Sequence, residues 1–343
     1  MPEGRRALRA SLEERLTARW YGGVAPGVLL RWVAALYGAL MRARRWAYRV
    51  GLLRQHRLDT PVIVVGNRTV GGAGKTPLVI ALVDALRERG WHPGVLSRGY
   101  GRRSTGQQRV DGGSDPGTVG DEPLLVHLAT GAPVAVDADR IAAANALIAA
   151  GCDVLIADDG LQHLRLGRVL EIEVQDGRGL GNGRVMPAGP LREPLPQRAA
   201  DVRVVHGREA GPAEVPMRLE LRDARRIGAS AGTPPSSRPL AAFAGRPVHA
   251  VAGIGHPARF FRALRDAGLD VVEHPFPDHH AFTAADFDAM RGAPVLMTGK
   301  DAVKCRHLGL LDAWEVPVSA GLPDALIDTL DRRLREPSRH VDP

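Results

Sequence analysis

The chain alternates short apolar runs with longer amphipathic ones, and glycines fall between them. Pro61 to Val65 is a continuous apolar run, the pattern of a strand buried on both faces. Leu78 to Leu86 reads as a buried helix that Gly90 stops. The alternation then repeats. "HPGVLSRGYGRR" runs a strand into a glycine- and arginine-rich loop, "VGDEPLLVHLA" opens a helix, "APVAVDADR" is a short strand, and Ile141 to Ala150 is a helix ended by Gly151. "DVLIADDG" is a strand ending in two carboxylates, and "LEIEVQDG" and "DVRVVHG" are further strands. This predicts a parallel sheet with helices on both faces. From Glu209 to Pro239 the composition shifts to Gly, Pro, Ser and Arg, interrupted by the alternating "MRLELRD", which predicts a connector with a small hairpin. From Pro247 a second, smaller α/β unit follows, with helices through Leu264, near Asp286 and from Asp324 to Leu334.

The turn between the first strand and its helix carries candidate chemistry. It reads "GNRTVGGAGKTP", and Gly71, Gly72 and Gly74 let the backbone point its N–H groups inward around an anion. The helix N-terminus adds free N–H groups and partial positive charge. Lys75 is placed to reach outer phosphates, and the Thr76 hydroxyl to bind Mg²⁺. The candidate nucleotide-binding stretch is Thr69, Val70, Gly71, Gly72, Ala73, Gly74, Lys75, Thr76 and Pro77. Thr69 stands where G-x-x-x-x-G-K-[ST] has its first glycine. An ordinary tight turn is the alternative, and the flanking strand and helix weigh against it. Asp158 and Asp159 close a later buried strand, where carboxylates beside such a loop hold Mg²⁺ directly or through water.

The fold expected is therefore α/β: a P-loop NTPase-type parallel-sheet domain and a second, smaller α/β domain, joined by a short β-hairpin linker. The boundaries expected are 1–55 for an N-terminal helical segment, 56–208 for the P-loop domain, 209–246 for the linker and 247–343 for the smaller domain. Guanine specificity is weakened because "TGKD", Thr298 to Asp301, has the wrong spacing. A metal-delivery or partitioning ATPase is weakened by Val70, near where those proteins carry an extra lysine. A kinase with a small or lipid acceptor remains.

The 343 residues suffice for two domains, and at 44% hydrophobic and 4% aromatic their cores are aliphatic. Cys152 and Cys305 are far apart, which suits a reducing compartment and structural thiols. The net charge of +8 suggests an anionic partner. Nucleic acid is not expected, since zinc-finger spacing, stacking aromatics among the basic residues and a helix-turn-helix are all lacking. No obligate protein partner is evident. Charge concentrates near the N-terminus, in "VLLRWVAALYGALMRARRWAY" from Val28 to Tyr48. Its longest uncharged stretch, Trp32 to Met41, is ten residues, too short to span a bilayer. Arg31, Arg42, Arg44, Arg45 and Arg49 flank Trp32, Leu36, Leu40 and Trp46. A helix lying in a lipid interface and a helix packed on the protein's own core both fit this pattern.

Several stretches together resemble one family, the tetraacyldisaccharide 4′-kinases (lipid A 4′-kinases). They are "VIVVGNRTVGGAGKTP", "GVLSRGYGR", "VGDEP", "DDGLQH", "GNGRVMPAGPLREPL", "VHAVAGIGHPARFF", "FPDHHAF" and "DAVKC", in order from Pro61 to Cys305. "DDGLQH" and "PAGPLREPL" have no generic structural reason to accompany a P-loop. The resemblance implies transfer of the ATP γ-phosphate to the 4′-hydroxyl of a lipid A disaccharide 1-phosphate, with ATP and Mg²⁺ as cofactors. It implies work at the cytoplasmic face of the bacterial inner membrane, which tips the N-terminal helix toward a peripheral membrane contact. The chain departs from the pattern at Gly299, where the family more often has Glu, and at His256, where Asn is usual.

The remaining candidates serve phosphates and protons. Arg192 and Arg98 suit phosphate binding, Arg98 toward the lipid 1-phosphate, because a guanidinium engages two oxygens at once. Glu193 is assigned to metal, ribose or an arginine partner, and Asn182 and His163 are further polar candidates. For the acceptor proton the candidates are Asp121, in a loop over the sheet edge, and a histidine of "PDHH", His279 or His280, approaching across the cleft. The resemblance points to the same two motifs. A helix-capping Asp121 with surface histidines is the structural alternative.

Overall fold

The computed structural model describes residues 16–195, 199–228 and 236–336. The outer ends of the expected 1–55 and 247–343 segments, and part of the 209–246 connector, lie outside the described residues. The elements of the first half are α1 (Val28–Arg49), β1 (Val62–Gly66), α2 (Lys75–Glu88), β2 (Pro93–Ser97), β3 (Gln108–Val110), α3 (Pro116–Val119), α4 (Asp121–Thr130), β4 (Val134–Val136), α5 (Arg140–Ile148), β5 (Val154–Asp158), β6 (Leu170–Asp176) and β7 (Val202–His206). A large sheet runs β3-β4-β2-β5-β1-β6-β7-β8, where β8 is Val215–Pro216. All its pairings are parallel except β3 with β4.

β1 is buried along its whole length because helices cover both sheet faces. On one face α2 buries Leu78, Val79, Leu82, Val83 and Leu86 against Ile63, Val65 and Ile156. On the other, Ala143, Ala144 and Leu147 of α5 pack on Val62, Val64, Leu96 and Leu155. Burying each large aliphatic side chain contributes about 1.5–3 kcal/mol.

A smaller sheet is built from β10 (Ala224–Arg226), β11 (Ser237–Arg238), β12 (Pro247–Ala252), β13 (Asp270–Pro275), β14 (Val295–Thr298) and β15 (Ala313–Val316), in the order β11-β10-β15-β14-β12-β13. Helix α6 (Pro257–Asp266) places Phe260, Phe261 and Leu264 on one face with Phe243 and Trp314. Phe282, Phe287, Met290 and α7 (Gly299–Cys305) close the other. The helix expected near Asp286 is a 3₁₀ helix, Ala284–Met290, opened by a capping box between Thr283 and Asp286.

Two expectations are corrected. "MRLELRD" does not fold into a local hairpin: β9 (Arg218–Leu221) pairs antiparallel with β16 (Val318–Gly321), so the chain crosses between the sheets on two strands remote in sequence. The alternating pattern of β9 revealed its exposure but not its partner. The last helix, α8 (Asp324–Arg335), leaves the smaller sheet and packs on the large-sheet core. Both faces of the smaller sheet are already covered, so Leu326, Ile327, Leu330 and Leu334 find apolar cover beside α2 instead. Trp91 Nε1 donates to Asp331 Oδ1 at 2.7 Å and fixes that contact.

Trp314 is 2% exposed and meets Phe243 edge-on at 5.3 Å in the centre of the small-sheet core. Trp314→Ala is expected to destabilise this part of the chain by about 3–5 kcal/mol, read as an earlier unfolding transition on urea titration. A loss below about 1 kcal/mol would place the small-sheet core elsewhere.

Candidate active site

The glycine loop leaves the C-terminal end of β1 in the middle of the large sheet, with β5 on one side and β6 on the other. Crevices at such points are where open α/β sheets hold ligands. Gly71 and Gly74 have φ of +100° and +80°, a region other residues enter only with strain. A Cβ on Gly74 would stand 2.8 Å from His206 Nε2.

The loop is braced by side chains and main chain around it. Asn67 Nδ2 donates to the Gly71 carbonyl at 3.2 Å, and Gln162 Nε2 to the Asn67 carbonyl at 3.3 Å. Val70 N–H donates to Pro190 O at 2.9 Å, Arg192 N–H donates to Arg68 O at 2.8 Å, and Thr69 bridges to Leu191. Burial lowers the pKa of His206, and its Nε2–H donates to the Ala73 carbonyl at 2.9 Å. Arg178 reaches the Gly72 carbonyl at 3.4 Å while paired with Asp176.

Lys75 opens α2 and donates to Asn67 Oδ1 at 3.1 Å, with Asp159 Oδ1 at 3.4 Å. Thr76 and Pro77 continue its first turn. Asp159 has a left-handed φ of +52°, which turns its carboxylate toward Arg192, whose Nη1 lies 2.8 Å from each oxygen. Burial alone would raise the Asp159 pKa, but the Lys75 and Arg192 charges hold it down at about 2. Asp158 ends β5 and is buried, and its Oδ1 has no hydrogen-bond partner among the described residues. Burial pushes its pKa up, and the Glu122 carboxylate adds to the rise. A buried carboxylate oxygen without a donor suits a small hard cation. Asp159, the second carboxylate of the pair, contacts Lys75 and Arg192. Among the described residues no cluster of three or more His, Cys, Asp or Glu forms a ready-made metal cage.

A second constellation joins the large-sheet side to the small-sheet side. Asp121 is the first residue of α4, rather than part of a loop, and is 6% exposed. Its Oδ2 is 3.0 Å from His279 Nδ1, although 158 positions separate the two. His279 has φ +59° in the loop after β13, and its ring lies 5.5 Å from that of Tyr100. The hydrogen bond to Asp121 raises the His279 pKa. Burial works to raise that of Asp121, but His279 and Lys300 together bring it below the usual carboxylate range. His280 turns away, between Phe276 and Phe282 at 4.8 Å from each ring, and contacts Asp286. His279 is therefore the histidine that meets Asp121.

Arg98 is exposed in the loop after β2, where its charge bears on the buried Arg140. Glu193 is not free for metal or ribose: it is 5% exposed and paired with Arg45 of α1. Asn182 donates to the Ala188 carbonyl and so shapes the 182–189 turn, while burial drops the His163 pKa to about 4. Asn67, Gln162, Glu122, Lys300 and His206 were missed from the sequence. Asn67 had a readable signal, as the first amide side chain after the apolar run of β1. Neither thiol is a nucleophile candidate, since both are buried and burial pushes Cys305 up to about 12.

Residues 27–335 match the family described as tetraacyldisaccharide-1-P 4′-kinase. The tetraacyldisaccharide 4′-kinase of Xanthomonas campestris pv. campestris is 47% identical, with 96% of this chain and 98% of that protein covered. The protein of the same name from Alkalilimnicola ehrlichii is 52% identical, covering 89% of this chain and 92% of its own. Among solved structures, the "apo" form of LpxK from Aquifex aeolicus in complex with ATP superposes with a TM-score of 0.75 at 31% identity, over 88% of this chain and 97% of that one.

Gly74→Ala forces a side chain into the left-handed region and against His206 Nε2. The expected strain of about 1–3 kcal/mol displaces the loop and weakens ATP binding roughly tenfold or more, with the circular dichroism of the fold retained. Unchanged affinity by calorimetry would show that the loop does not touch the nucleotide.

Proposed function

The chain belongs to the tetraacyldisaccharide-1-P 4′-kinase family, and we infer that it carries the γ-phosphate of ATP to the 4′-hydroxyl of a tetraacyldisaccharide 1-phosphate, a step of lipid A biosynthesis. One observation carries the assignment of its parts. The Lys75–Asp159–Arg192 cluster at the glycine loop and the Asp121–His279 pair are tied through Asp158, whose carboxyl feels both Lys75 and Glu122, the residue after Asp121, and we take both to line one cleft. We read the large sheet as a P-loop kinase domain and the small sheet as a second domain, with β9 and β16 as the connection.

In this reading the glycine loop cradles the phosphates, and Lys75 neutralises charge on the one transferred. Arg192 exchanges one of its Asp159 contacts for a phosphate oxygen, since a guanidinium offers several donors. Thr76 and Asp158 would hold Mg²⁺, which when bound would supply charge neutralisation to the phosphates. Arg98 meets the lipid 1-phosphate. The 4′-oxygen bonds to the γ-phosphorus as the bond to the bridging oxygen breaks. The hydroxyl proton passes to the Asp121–His279 pair, and ADP leaves with the bridging oxygen.

The acceptor reaches this cleft from a lipid surface. Helix α1 buries Ala34 and Gly38 against Val185, Ala188 and Leu191, while Tyr37 Oη donates to the Arg192 carbonyl at 2.8 Å. The opposite stripe is open, with Leu29 77%, Trp32 73%, Leu36 74% and Leu40 62% exposed. Their helical spacing lines them on one face. Exposed Arg31, Arg42 and Arg49 follow one flank. An apolar stripe beside arginines suits the boundary of an anionic bilayer, and ATP chemistry puts that boundary on the cytoplasmic face of the inner membrane. No helix among the described residues is long and apolar enough to cross a membrane.

Transfer from γ-labelled ATP to a tetraacyldisaccharide 1-phosphate in detergent micelles tests the activity. In that assay Asp121→Ala and His279→Ala are each expected to lower kcat about 10²–10⁴-fold, and the double variant far less than the product of the two. Multiplicative losses would dissolve the pair into two independent residues. Trp32→Glu combined with Leu36→Glu is expected to abolish flotation with anionic liposomes, with turnover in micelles and ATP binding retained. Equal flotation would rule out this stripe as the membrane contact.

A further inference from the structure

The "TGKD" stretch, with its spacing wrong for guanine, has another task in this fold. Thr298 ends β14, and its hydroxyl accepts from Asp301 N–H at the start of α7. Asp301 Oδ2 in turn accepts from Thr298 Oγ1 at 2.6 Å and from Gly253 N–H at 2.9 Å, which pins α7 to the end of β12. Lys300 is thereby aimed from the small sheet into the cleft. Its side chain is 16% exposed, and the ammonium meets acceptors from both sides: Glu122 Oε1 at 3.2 Å, Asp278 Oδ1 at 3.3 Å and His279 Nε2 at 3.4 Å.

We propose that Lys300 is a positioning residue that keeps His279 Nε2 as a bare lone pair, so that the Asp121–His279 pair stays able to accept the substrate proton. An ammonium has three donors and no acceptor. The imidazole nitrogen that faces it must therefore accept, and the ring proton lies on Nδ1, facing Asp121 Oδ2 at 3.0 Å. The tautomer follows from the two partners alone. Asp121 by itself would favour the imidazolium, which has no lone pair to offer an incoming proton. The Lys300 charge beside Nε2 opposes that second proton.

The groups facing His279 are Asp121 from α4, Lys300 from α7, Asp278 from its own loop, with Oδ1 3.9 Å from Nε2, and the ring of Tyr100. Glu122 acts at one remove, by holding Lys300, and Lys304 by its charge on Asp121. Burial pulls the Lys300 pKa down, but the surrounding carboxylates outweigh it and keep the ammonium charged. Asp121 and Glu122 belong to the large-sheet side, while Lys300 and His279 belong to the small-sheet side. The arrangement therefore forms only when the two sides meet.

This inference rests on the proton-acceptor reading above, and the two separate by experiment. The His279 resonance of the full chain, assigned by its loss in His279→Asn, is titrated by ¹H–¹⁵N NMR in the wild type, Lys300→Met and Lys300→Arg. kcat and the KM for ATP are followed over the same pH range. Lys300→Gln, which keeps a donor but loses the charge, is the second charge-removing variant. Removing the charge is expected to raise the His279 pKa by about one unit. The acidic limb of kcat moves up with it, about tenfold is lost below that limb, the KM for ATP stays within about twofold, and Lys300→Arg restores most of the rate. An unmoved His279 titration in both charge-removing variants overturns the proposal. A shifted titration with an unshifted kcat profile upholds the Lys300 contact and overturns the acceptor reading instead.

Discussion

The carbonyls of the glycine loop between β1 and α2 are taken by side chains, so the loop is held largely from outside. Most of this fold serves that constraint. The carbonyls of Gly71, Gly72 and Ala73 are taken by Asn67, Arg178 and His206, from the loop's own start, the end of β6 and the end of β7. The 190–192 stretch runs beside the loop and supplies main-chain partners for Arg68 and Val70. These supports come from three separate strand ends, which is why the site lies at the carboxyl edge of the large sheet. The same edge sets the two aspartates apart: Asp158, still in the strand, is buried, while Asp159 has left it and turns toward two cations.

Opposed charge organises the other wall of the cleft. Asp121 attracts a proton to His279, and Lys300 repels one. The balance is possible only because the participants are fixed by burial and by helix starts, since the same groups in water would be screened within about 8–10 Å. The smaller sheet provides that rigidity through Asp301, whose buried carboxylate ties the end of β14 to the end of β12.

Local features were readable in the chain, and remote partnerships were not. Strand β1 announces itself by an unbroken apolar run, α2 by Gly74 before Lys75 and Gly90 after Glu88, and α1 by its amphipathic spacing. Periodicity tells which side of an element is buried, but not what buries it. Hence the sequence alone suggests a hairpin for β9 and the smaller sheet for α8, where the structure pairs β9 with β16 and packs α8 beside α2. The nearness of Asp121 and His279 could be raised from the sequence only through loop placement and the family resemblance, because 158 positions intervene. Of the partners open to Glu193, the structure supplies the arginine: its neighbour Arg192 bonds Asp159, but the next side chain along turns the opposite way, to Arg45 of α1.

That last contact has a practical side. Anyone wanting a detergent-free version of this enzyme would be tempted to cut the chain after Arg49. The cut would also remove the Arg45 partner of a carboxylate only 5% exposed, the Tyr37 bond to the Arg192 carbonyl and the Arg44 bond to the Gln162 carbonyl. A buried charge stripped of its partner costs about 3–5 kcal/mol, and the loosened 185–193 stretch is the one that braces the glycine loop. Solubility is better sought by recolouring the outer stripe of α1 with polar side chains than by amputation.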